Sequence, residues 1–346
     1  MTAAVALLYL LVLAVLFVNG WTDAPNAIAS AVGSGAMDFR RAAALAAGCN
    51  FAGSALACLL FPAVAATMGG LVSFSDAPAA VTALGAAMLS VVLWAVLAWR
   101  FGLPTSESHA LLSGLSGAAL ALGPHRAALQ AGPWLWTLAG LALSLPAGAL
   151  AARLFRRWLT GRTRSAAAWQ RRAAAAMALL HGAQDSQKFL ALLLLAGGLG
   201  GLHFAPSLPL LLLISGTMAA GTALGGRPIV EKVGTQLAAL TPGDGLAADA
   251  GAGLVLAVCS LLGLPVSTTH TKVAAVLGAG RHPSPAAALE IALAWLLTFP
   301  CCAGLAFLFA RLLPLGYPVP CHMPRVIDAI QKIYQCFANF CVDKCL

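Results

Sequence analysis

Charged residues are scarce in this chain of 346 residues, where Asp, Glu, Lys and Arg together make up only 9%. Tyrosine occurs three times, whereas hydrophobic residues account for 60% of the sequence. Soluble globular domains carry about 25% charged residues, so this composition excludes that class. Apolar runs of about 20 residues, enough for a helix to cross a bilayer, recur from end to end. We therefore expect an all-α polytopic membrane protein whose surroundings are a lipid bilayer.

The distribution of the basic residues, which give the chain its net charge of +9, indicates its topology in the membrane. Seven arginines crowd one connection between two apolar runs: Arg153, Arg156, Arg157, Arg162, Arg164, Arg171 and Arg172. The positive-inside rule assigns this connection to the cytoplasm, with a lipid head-group site as the minority reading. Five crossings per half would then leave thirteen basic residues inside, five outside and both termini outside. No nucleic-acid partner is expected.

The apolar runs predict about ten spanning segments, five in each half. They cover residues 3–19 continuing into 24–36, 42–67, 79–99, 104–122, 132–154, 173–200, 206–224, 246–264, 265–280 and 286–313. A duplicated unit with an odd number of crossings inserts its second copy upside down, which gives two inverted-topology repeats. We assign residues 1–155 to the first repeat, 156–172 to a cytoplasmic Arg-rich loop and 173–314 to the second repeat.

Residues 315–346 form a C-terminal tail that holds four of the nine cysteines. Apolar residues recur at helical spacing from Val326 to Phe340, with charged residues between them. This pattern is typical of an amphipathic helix lying on the membrane surface. The five remaining cysteines lie in apolar segments, where we expect them to be packing residues.

Two motifs occur once in each half. Gly20-x-x-Asp23-x-x-Asn26 recurs as Gly182-x-x-Asp185-x-x-Lys188, an offset of 162 positions between the aspartates. Pro104-Thr-Ser-Glu-Ser-His109 recurs as Pro265-Val-Ser-Thr-Thr-His270, an offset of 161 positions between the histidines. Two separate motifs at almost the same offset indicate an internal duplication.

The aspartate motifs place ionisable groups within apolar segments, where such groups are costly unless they are paired or functional. Glycines, and Pro25 without a backbone N–H, predict broken helices at residues 20–25 and near 182–185. Carboxylates do not attract an anion, so Asp23 and Asp185 predict a coupling cation, either Na⁺ or a proton. Alternatively, Asp185 and Lys188 form only a buried ion pair, and Asn26 and Gln184 are interhelical hydrogen-bonding groups.

The second pair of motifs offers hydroxyl groups near helix starts, which suit a phosphate or another oxyanion. The hydroxyl-bearing residues are Ser106, Ser108, Ser267, Thr268 and Thr269. The alternative reading is N-capping with helix packing, since Ser and Thr serve both purposes. Lys188 would either neutralise Asp185 or touch the substrate. We expect His109 and His270 to pack at helix contacts, with substrate binding as the alternative.

Six motifs in order resemble the inorganic phosphate transporter (Pit) family of secondary carriers, over nearly the whole chain apart from the tail. They are Asn19-Gly-Trp-Thr-Asp-Ala-Pro-Asn-Ala-Ile-Ala, Cys49-Asn-Phe-Ala-Gly53, Gly102-Leu-Pro-Thr-Ser-Glu-Ser-His-Ala110, His181-Gly-Ala-Gln-Asp-Ser-Gln-Lys188, Gly221-Thr-Ala-Leu-Gly-Gly-Arg-Pro-Ile229 and Gly263-Leu-Pro-Val-Ser-Thr-Thr-His270. Six ordered matches are far more specific than one short pattern.

The resemblance implies import of inorganic phosphate in symport with Na⁺ or H⁺ by alternating access, without an organic cofactor. It also implies a homodimer, and we expect a multi-pass protein of a cell membrane, namely a bacterial inner membrane. Carried over by position, the substrate-binding set is Asn26, Ser106, Ser108, Gln184, Lys188, Ser267, Thr268 and Thr269. The coupling-ion set is Thr22, Asp23, Asn26 and Asp185, with Na⁺ placed at Asp23 and Asp185.

The chain departs from the family pattern at several positions. Gln184 stands where Asn is usual, Glu107 where Ser or Thr is usual, and Lys272 where an apolar residue is expected. If the two Pro-x-Ser segments meet near the pseudo-twofold axis, Glu107 and Lys272 are predicted to pair. These departures keep a sulfate or other oxyanion permease of the same fold open as an alternative.

Two further classes stay open. A passive channel differs from a carrier in that it does not accumulate its solute. An intramembrane hydrolase would pair Ser106 or Ser108 with His109, or Ser267 with His270. Neighbours so close in sequence seldom meet as nucleophile and base, and no Gly-x-Ser-x-Gly elbow is present. We therefore do not expect an enzyme.

Overall fold

The computed structural model describes residues 3–160, 165–199 and 207–313, which fold almost entirely as helices. The helices are α1 (Ala3–Thr22), α2 (Asn26–Gly33), α3 (Phe39–Leu60), α4 (Ala63–Gly69), α5 (Ala77–Arg100), α6 (Glu107–Leu122), α7 (Ala131–Leu159), α8 (Ala166–Leu199), α9 (Leu208–Leu224), α10 (Arg227–Glu231), α11 (Pro242–Leu261), α12 (Thr268–Ala279) and α13 (Pro285–Leu312). A π-helical turn, Lys232–Gln236, continues α10. Strands β1 (Val72–Phe74) and β2 (Ala127–Leu129) pair antiparallel.

Length and composition identify a multi-pass membrane protein, as the sequence predicts. Among the described residues, 6 helical segments are long and apolar enough to cross a membrane, or up to 7 if the bent pair formed by α9 and residues 227–236 counts as one span. Helices α6 and α12 have 16 and 12 residues. At 1.5 Å per residue they reach about 24 Å and 18 Å, less than the hydrocarbon layer of about 30 Å. The predicted segments 104–122 and 265–280 are therefore too short as helices to cross alone.

One of the two predicted helix breaks is present. Helix α1 ends at Thr22 and α2 begins at Asn26, with the turn between them closed by bonds from the Asp23 and Ala24 N–H groups to the Asn19 carbonyl. The predicted break near residues 182–185 is wrong, because α8 runs through them without interruption. At the position equivalent to Pro25 the second motif carries Gln187, which keeps its backbone N–H and therefore permits the helix to continue.

The glycines of the aspartate motifs allow close helix packing. A Cβ atom on Gly20 would lie 2.3 Å from the carbonyl oxygen of Met218, and one on Gly182 would lie 2.4 Å from that of Asn50. Only glycine permits α1 to approach α9, and α8 to approach α3, this closely. The two contacts are equivalent in the two halves.

Buried apolar side chains form two large clusters at opposite ends of α8. One surrounds Phe189–Leu193 with residues of α1, α5 and α6, and the other surrounds Met177 and Ala178 with residues of α2, α11 and α12. Many leucines on the periphery are exposed, such as Leu296 at 70%, as expected for a lipid-facing surface. The polar middle of α8 lies between the clusters.

The connection between the halves is shorter than the predicted loop 156–172. Helix α7 continues to Leu159 and α8 begins at Ala166, because Ala and Arg favour helix. The predicted tail helix at residues 326–340, within 315–346, lies outside the described residues.

Candidate substrate and ion site

Four chain segments meet at the centre of the protein. They are the break between α1 and α2, the middle of α8, and the N-terminal turns of α6 and α12. The starts of α6 and α12 face each other, since the His109 and His270 rings lie 4.2 Å apart between centroids. Ser106 and Ser267 cap these helices by accepting the N–H groups of His109 and His270. The two short helices thus bring two N-termini to one place.

Asp23 and Asp185 are side by side and almost fully buried. The Asn19 amide Nδ2 lies 3.1 Å from Asp185 Oδ2 and 3.5 Å from Asp23 Oδ2. The Thr268 hydroxyl lies 3.3 Å from Asp23 Oδ2 and 3.3 Å from Asp185 Oδ2. The predicted coupling-ion residues Asp23 and Asp185 are therefore brought together, with one of the predicted substrate hydroxyls between them.

His181 adds a nitrogen to this pair. Its Nε2 lies 3.5 Å from Asp185 Oδ2 and has no hydrogen-bond partner among the described residues, while its Nδ1 lies 3.1 Å from the Asn50 carbonyl oxygen Oδ1. An acceptor at Nδ1 favours the tautomer that carries the proton there, which leaves the Nε2 lone pair facing the aspartates. One ligand atom from each of Asp23, His181 and Asp185 lies within 4.8 Å of the others. This geometry can hold a cation.

Lys188 neutralises Asp185 from the other side, one of the roles that the sequence suggests. Its ammonium lies 2.6 Å from Asp185 Oδ1, 2.5 Å from Ser108 Oγ and 2.9 Å from the Val266 carbonyl. These three acceptors use all three ammonium donors. Ser108 in turn donates to the Val266 carbonyl at 3.0 Å. Lys188 and Ser108 are therefore held together beside the pair.

Asn26 and Thr269 form the opposite wall. The Asn26 amide Nδ2 lies 3.1 Å from both Asp23 Oδ1 and Thr269 Oγ1. Because Asn26 begins α2 and Thr269 lies in the first turn of α12, this contact joins the broken helix to the second short helix. Asn26 stands in the first half where Lys188 stands in the second, so the two aspartates have different charge environments.

The predicted pair of Glu107 and Lys272 does not form. Glu107 accepts a hydrogen bond from Thr22 Oγ1 at 2.7 Å, so Thr22 faces Glu107. Lys272 instead contacts Ser30 and Asp249. Helix α6 packs on α5 and α13, whereas α12 packs on α7 and α11, so the two helices lead to different neighbours. Lys272 lies one turn further along α12 than Thr268.

Three other predicted residues have structural partners. Gln184 donates to the Leu264 carbonyl at 2.8 Å and accepts from Ser260, so it fixes the segment before α12. Ser106 and Ser267 are the helix caps. Ser106 Oγ also lies 2.9 Å from His109 Nδ1, so these two neighbours do meet, in a contact that accompanies the helix cap. Both ring nitrogens of His270 lack partners in the described structure, so no Ser267–His270 pair forms.

Sequence reasoning missed Asn19, His181 and Asn50 as part of the site. A usable signal was present, since Asn19 and His181 directly precede Gly20 and Gly182 and share the 162-residue offset. The repeat therefore pairs these two side chains as it pairs the aspartates.

Comparison with known proteins assigns the family. The model of the phosphate transporter family matches residues 19–173 and again 160–306. A probable low-affinity inorganic phosphate transporter of Rhizobium meliloti (strain 1021) is 33% identical over 308 residues, covering 83% of this chain and 90% of that protein. One of Mycobacterium tuberculosis (strain CDC 1551 / Oshkosh) is 32% identical over 316 residues, covering 85% and 73%.

A solved structure described as the sodium-dependent phosphate transporter is similar to this chain in fold. Its TM-score is 0.79 at 19% sequence identity, with 91% of this chain and 100% of that chain covered. The same helical arrangement, the two matches to one family model and the extent of the bacterial relatives agree, so the chain belongs to the phosphate transporter family.

Proposed function

We propose that this protein is a secondary active transporter that imports inorganic phosphate in symport with Na⁺ or H⁺ by alternating access. The observation that carries the proposal is the buried pair Asp23 and Asp185, joined by shared donors from Asn19 and Thr268. Buried carboxylates at the centre of a membrane protein are costly, so their retention indicates a role in ion movement.

The charges explain why a cation is needed. Three buried carboxyl groups, those of Asp23, Glu107 and Asp185, lie at the site with one ammonium, that of Lys188, and an incoming phosphate adds further negative charge. A coupling cation bound near Asp23, His181 and Asp185, or a proton on an aspartate, would offset that charge. The starts of α6 and α12 and the hydroxyls of Ser108, Thr268 and Thr269 suit the phosphate, since helix N-termini and hydroxyls bind oxyanions.

The packing of equivalent helices supports inverted repeats over residues 1–155 and 173–314. Helix α3 packs on α8 as α9 packs on α1, α7 packs on α11 as α13 packs on α5, and α7 packs on α12 as α13 packs on α6. Two units related by a twofold axis would produce these matched contacts. We propose that about ten segments cross or enter the membrane, with the short helices α6 and α12 entering it from opposite sides.

Both bacterial relatives are named as probable low-affinity inorganic phosphate transporters, which supports phosphate as the substrate. The name of the structural neighbour includes sodium dependence, and Na⁺ is accordingly one of the two coupling ions proposed. The bacterial sources of the relatives support a bacterial inner membrane as the location. A homodimer is the proposed assembly, and transport without chemical conversion is the proposed activity.

The test is uptake of labelled phosphate into proteoliposomes under an imposed Na⁺ or pH gradient. Wild type is expected to accumulate phosphate against its gradient and to stop when the ion gradient is collapsed. Asp23→Asn and Asp185→Asn are expected to lose coupled uptake, because each removes a carboxylate from the pair. Unimpaired coupled uptake in both variants would contradict the proposal, and uptake without accumulation would indicate a channel. Stronger competition by unlabelled sulfate than by unlabelled phosphate would indicate a sulfate permease.

A further inference from the structure

A second buried charge pair lies away from the aspartate pair. Lys272 of α12 contacts Asp249 of α11, and its ammonium lies 2.8 Å from the Ser30 hydroxyl of α2. Ser30 Oγ donates at 2.6 Å to Asp249 Oδ1, the oxygen that Lys272 also contacts. All three side chains are almost completely buried, and Asp249 Oδ2 has no hydrogen-bond partner in the described structure.

The equivalent positions of the first half carry no charge. The repeat offset of 161 residues makes Met88 equivalent to Asp249 and Leu111 equivalent to Lys272. Met88 and Leu111 are buried in the first apolar cluster. Replacement of a buried ion pair by well-packed apolar residues is often neutral or stabilising, so stability alone does not account for the pair. The first half of the chain thus carries buried apolar residues at the two positions where the second half carries the charged pair.

The pair lies on a line of polar groups that starts at the central site. Asn26, Ser30 and Ser34 are four residues apart and share one face of α2 and its C-terminal end. Asn26 contacts Thr269, Ser30 contacts Lys272, and Ser34 Oγ donates to the Gln170 side chain at 2.7 Å.

The far end of this line lies at the basic connection between the halves. Arg171 Nη1 lies 3.4 Å from the Ala36 carbonyl, just beyond the end of α2. The distribution of basic residues assigns this end to the cytoplasm. The corresponding space of the first half is apolar and is lined by Leu84, Leu115 and Leu192 among others. Leu192 is the equivalent of Ser30 by the 162-residue offset, so at this level of the described structure the polar line along α2 has an apolar counterpart.

We propose that Lys272 is a second oxyanion-binding group, on the cytoplasmic half of the transport path. The ligand is inorganic phosphate leaving the central site, so the inference rests on the proposed function. Asp249 and Ser30 hold the ammonium while the path is closed. Phosphate takes the place of Asp249 as the partner of Lys272 when α2 separates from α11 and α12. One turn of helix separates Lys272 from Thr269, so the proposed phosphate site at Lys272 lies directly next to the central site.

The experiment replaces the pair by the residues of the other half. Asp249→Met/Lys272→Leu is reconstituted as the full chain and compared with wild type and with the control Met88→Leu/Leu111→Met. The double variant is expected to bind phosphate at equilibrium within about twofold of wild type, because the central site is intact. Its coupled uptake is expected to fall at least tenfold, because the exit step lacks its cation. The control is expected to transport like wild type.

Wild-type uptake by the folded double variant would overturn the inference. Asp249→Asn supplies an independent readout, because it removes the competitor of phosphate and keeps Lys272. Half-saturating phosphate for exchange at the cytoplasmic face is expected to fall at least threefold in this variant, and an unchanged or higher value would also overturn the inference. Absence of coupled uptake in wild type would instead overturn the proposed function, so the two failures are distinguishable.

Discussion

Asp23 and Asp185 lie half a chain apart in sequence, yet one hydroxyl, that of Thr268, lies 3.3 Å from an oxygen of each. The pair is not symmetric, because Lys188 accompanies Asp185 while Asn26 accompanies Asp23. Lys188 stands at the position equivalent to Asn26 and acts as a cation that is fixed to the protein. We infer that Asp185 needs less charge from the medium than Asp23 does.

Lys188→Asn tests this inference by giving the second half the residue of the first. With the ammonium removed, Asp185 must obtain its cation from solution. We expect the dependence of phosphate uptake on Na⁺ or H⁺ concentration to become steeper, with a higher Hill coefficient and lower uptake at limiting cation. Lys188→Arg serves as the control because it retains the charge. An unchanged cation dependence in Lys188→Asn would contradict the fixed-cation role.

Asn19→Leu removes the amide that lies between the aspartates at nearly constant volume. Both carboxylates lose a donor while they keep the Thr268 hydroxyl, and a hydrogen bond to a charged group contributes about 1.5–3 kcal/mol. We expect a lower melting temperature in detergent and weaker phosphate binding by calorimetry. Ser90→Ala is a matched control, since the buried Ser90 hydroxyl donates to the Ala87 carbonyl of its own helix. Equal effects of the two substitutions would show that the amide has no special role.

The repeat made much of the site predictable. The shared offset identified Asp23, Asn26, Asp185 and Lys188, and the structure places all four together. The substrate role of Gln184, which rests on the family resemblance, stays a prediction, and the alternative of a hydrogen-bonding group matches its bonds to Leu264 and Ser260. The sequence does not show that the segment before α12 lies within reach of Gln184.

The pairing of charged residues was the least predictable feature. The sequence predicts a pair of Lys272 and Glu107 on the condition that the two Pro-x-Ser segments meet. In the structure α6 packs on α5 and α13 while α12 packs on α7 and α11, and the two side chains have different partners. The actual partner of Lys272, Asp249, lies in an apolar Ala/Gly-rich segment that carries no motif. Only the crossing of α11 and α12 brings the two together. Helix direction, which periodicity does not encode, decided this contact.

The close helix contacts at Gly20 and Gly182 predict large effects of a single methyl group. Gly20→Ala and Gly182→Ala would place Cβ within 2.4 Å of a backbone oxygen on the neighbouring helix, so the helices must separate. We expect each variant to be less stable by about 1–3 kcal/mol, the usual cost of overpacking. Thermal unfolding in detergent measures the change.

Gly48→Ala is the control for those substitutions. Gly48 lies in α3 with no atom within 4 Å of an added Cβ, so alanine is expected to stabilise the helix slightly. Stability losses in all three variants would indicate a general intolerance of alanine and would contradict the packing role of Gly20 and Gly182.

Double-mutant cycles distinguish the observed charge pairs from the predicted one. Lys272 and Asp249 are in contact, so substitution of either alone leaves a buried unpaired charge, at a cost of about 3–5 kcal/mol. The second substitution removes that charge, and we expect strong coupling in unfolding free energy for Asp249→Met with Lys272→Leu. Glu107→Gln and Lys272→Leu share no partner, so their effects are expected to add within about 0.5 kcal/mol. Coupling between Glu107 and Lys272 as strong as that between Asp249 and Lys272 would show that α6 and α12 approach each other more closely in another state of the transport cycle.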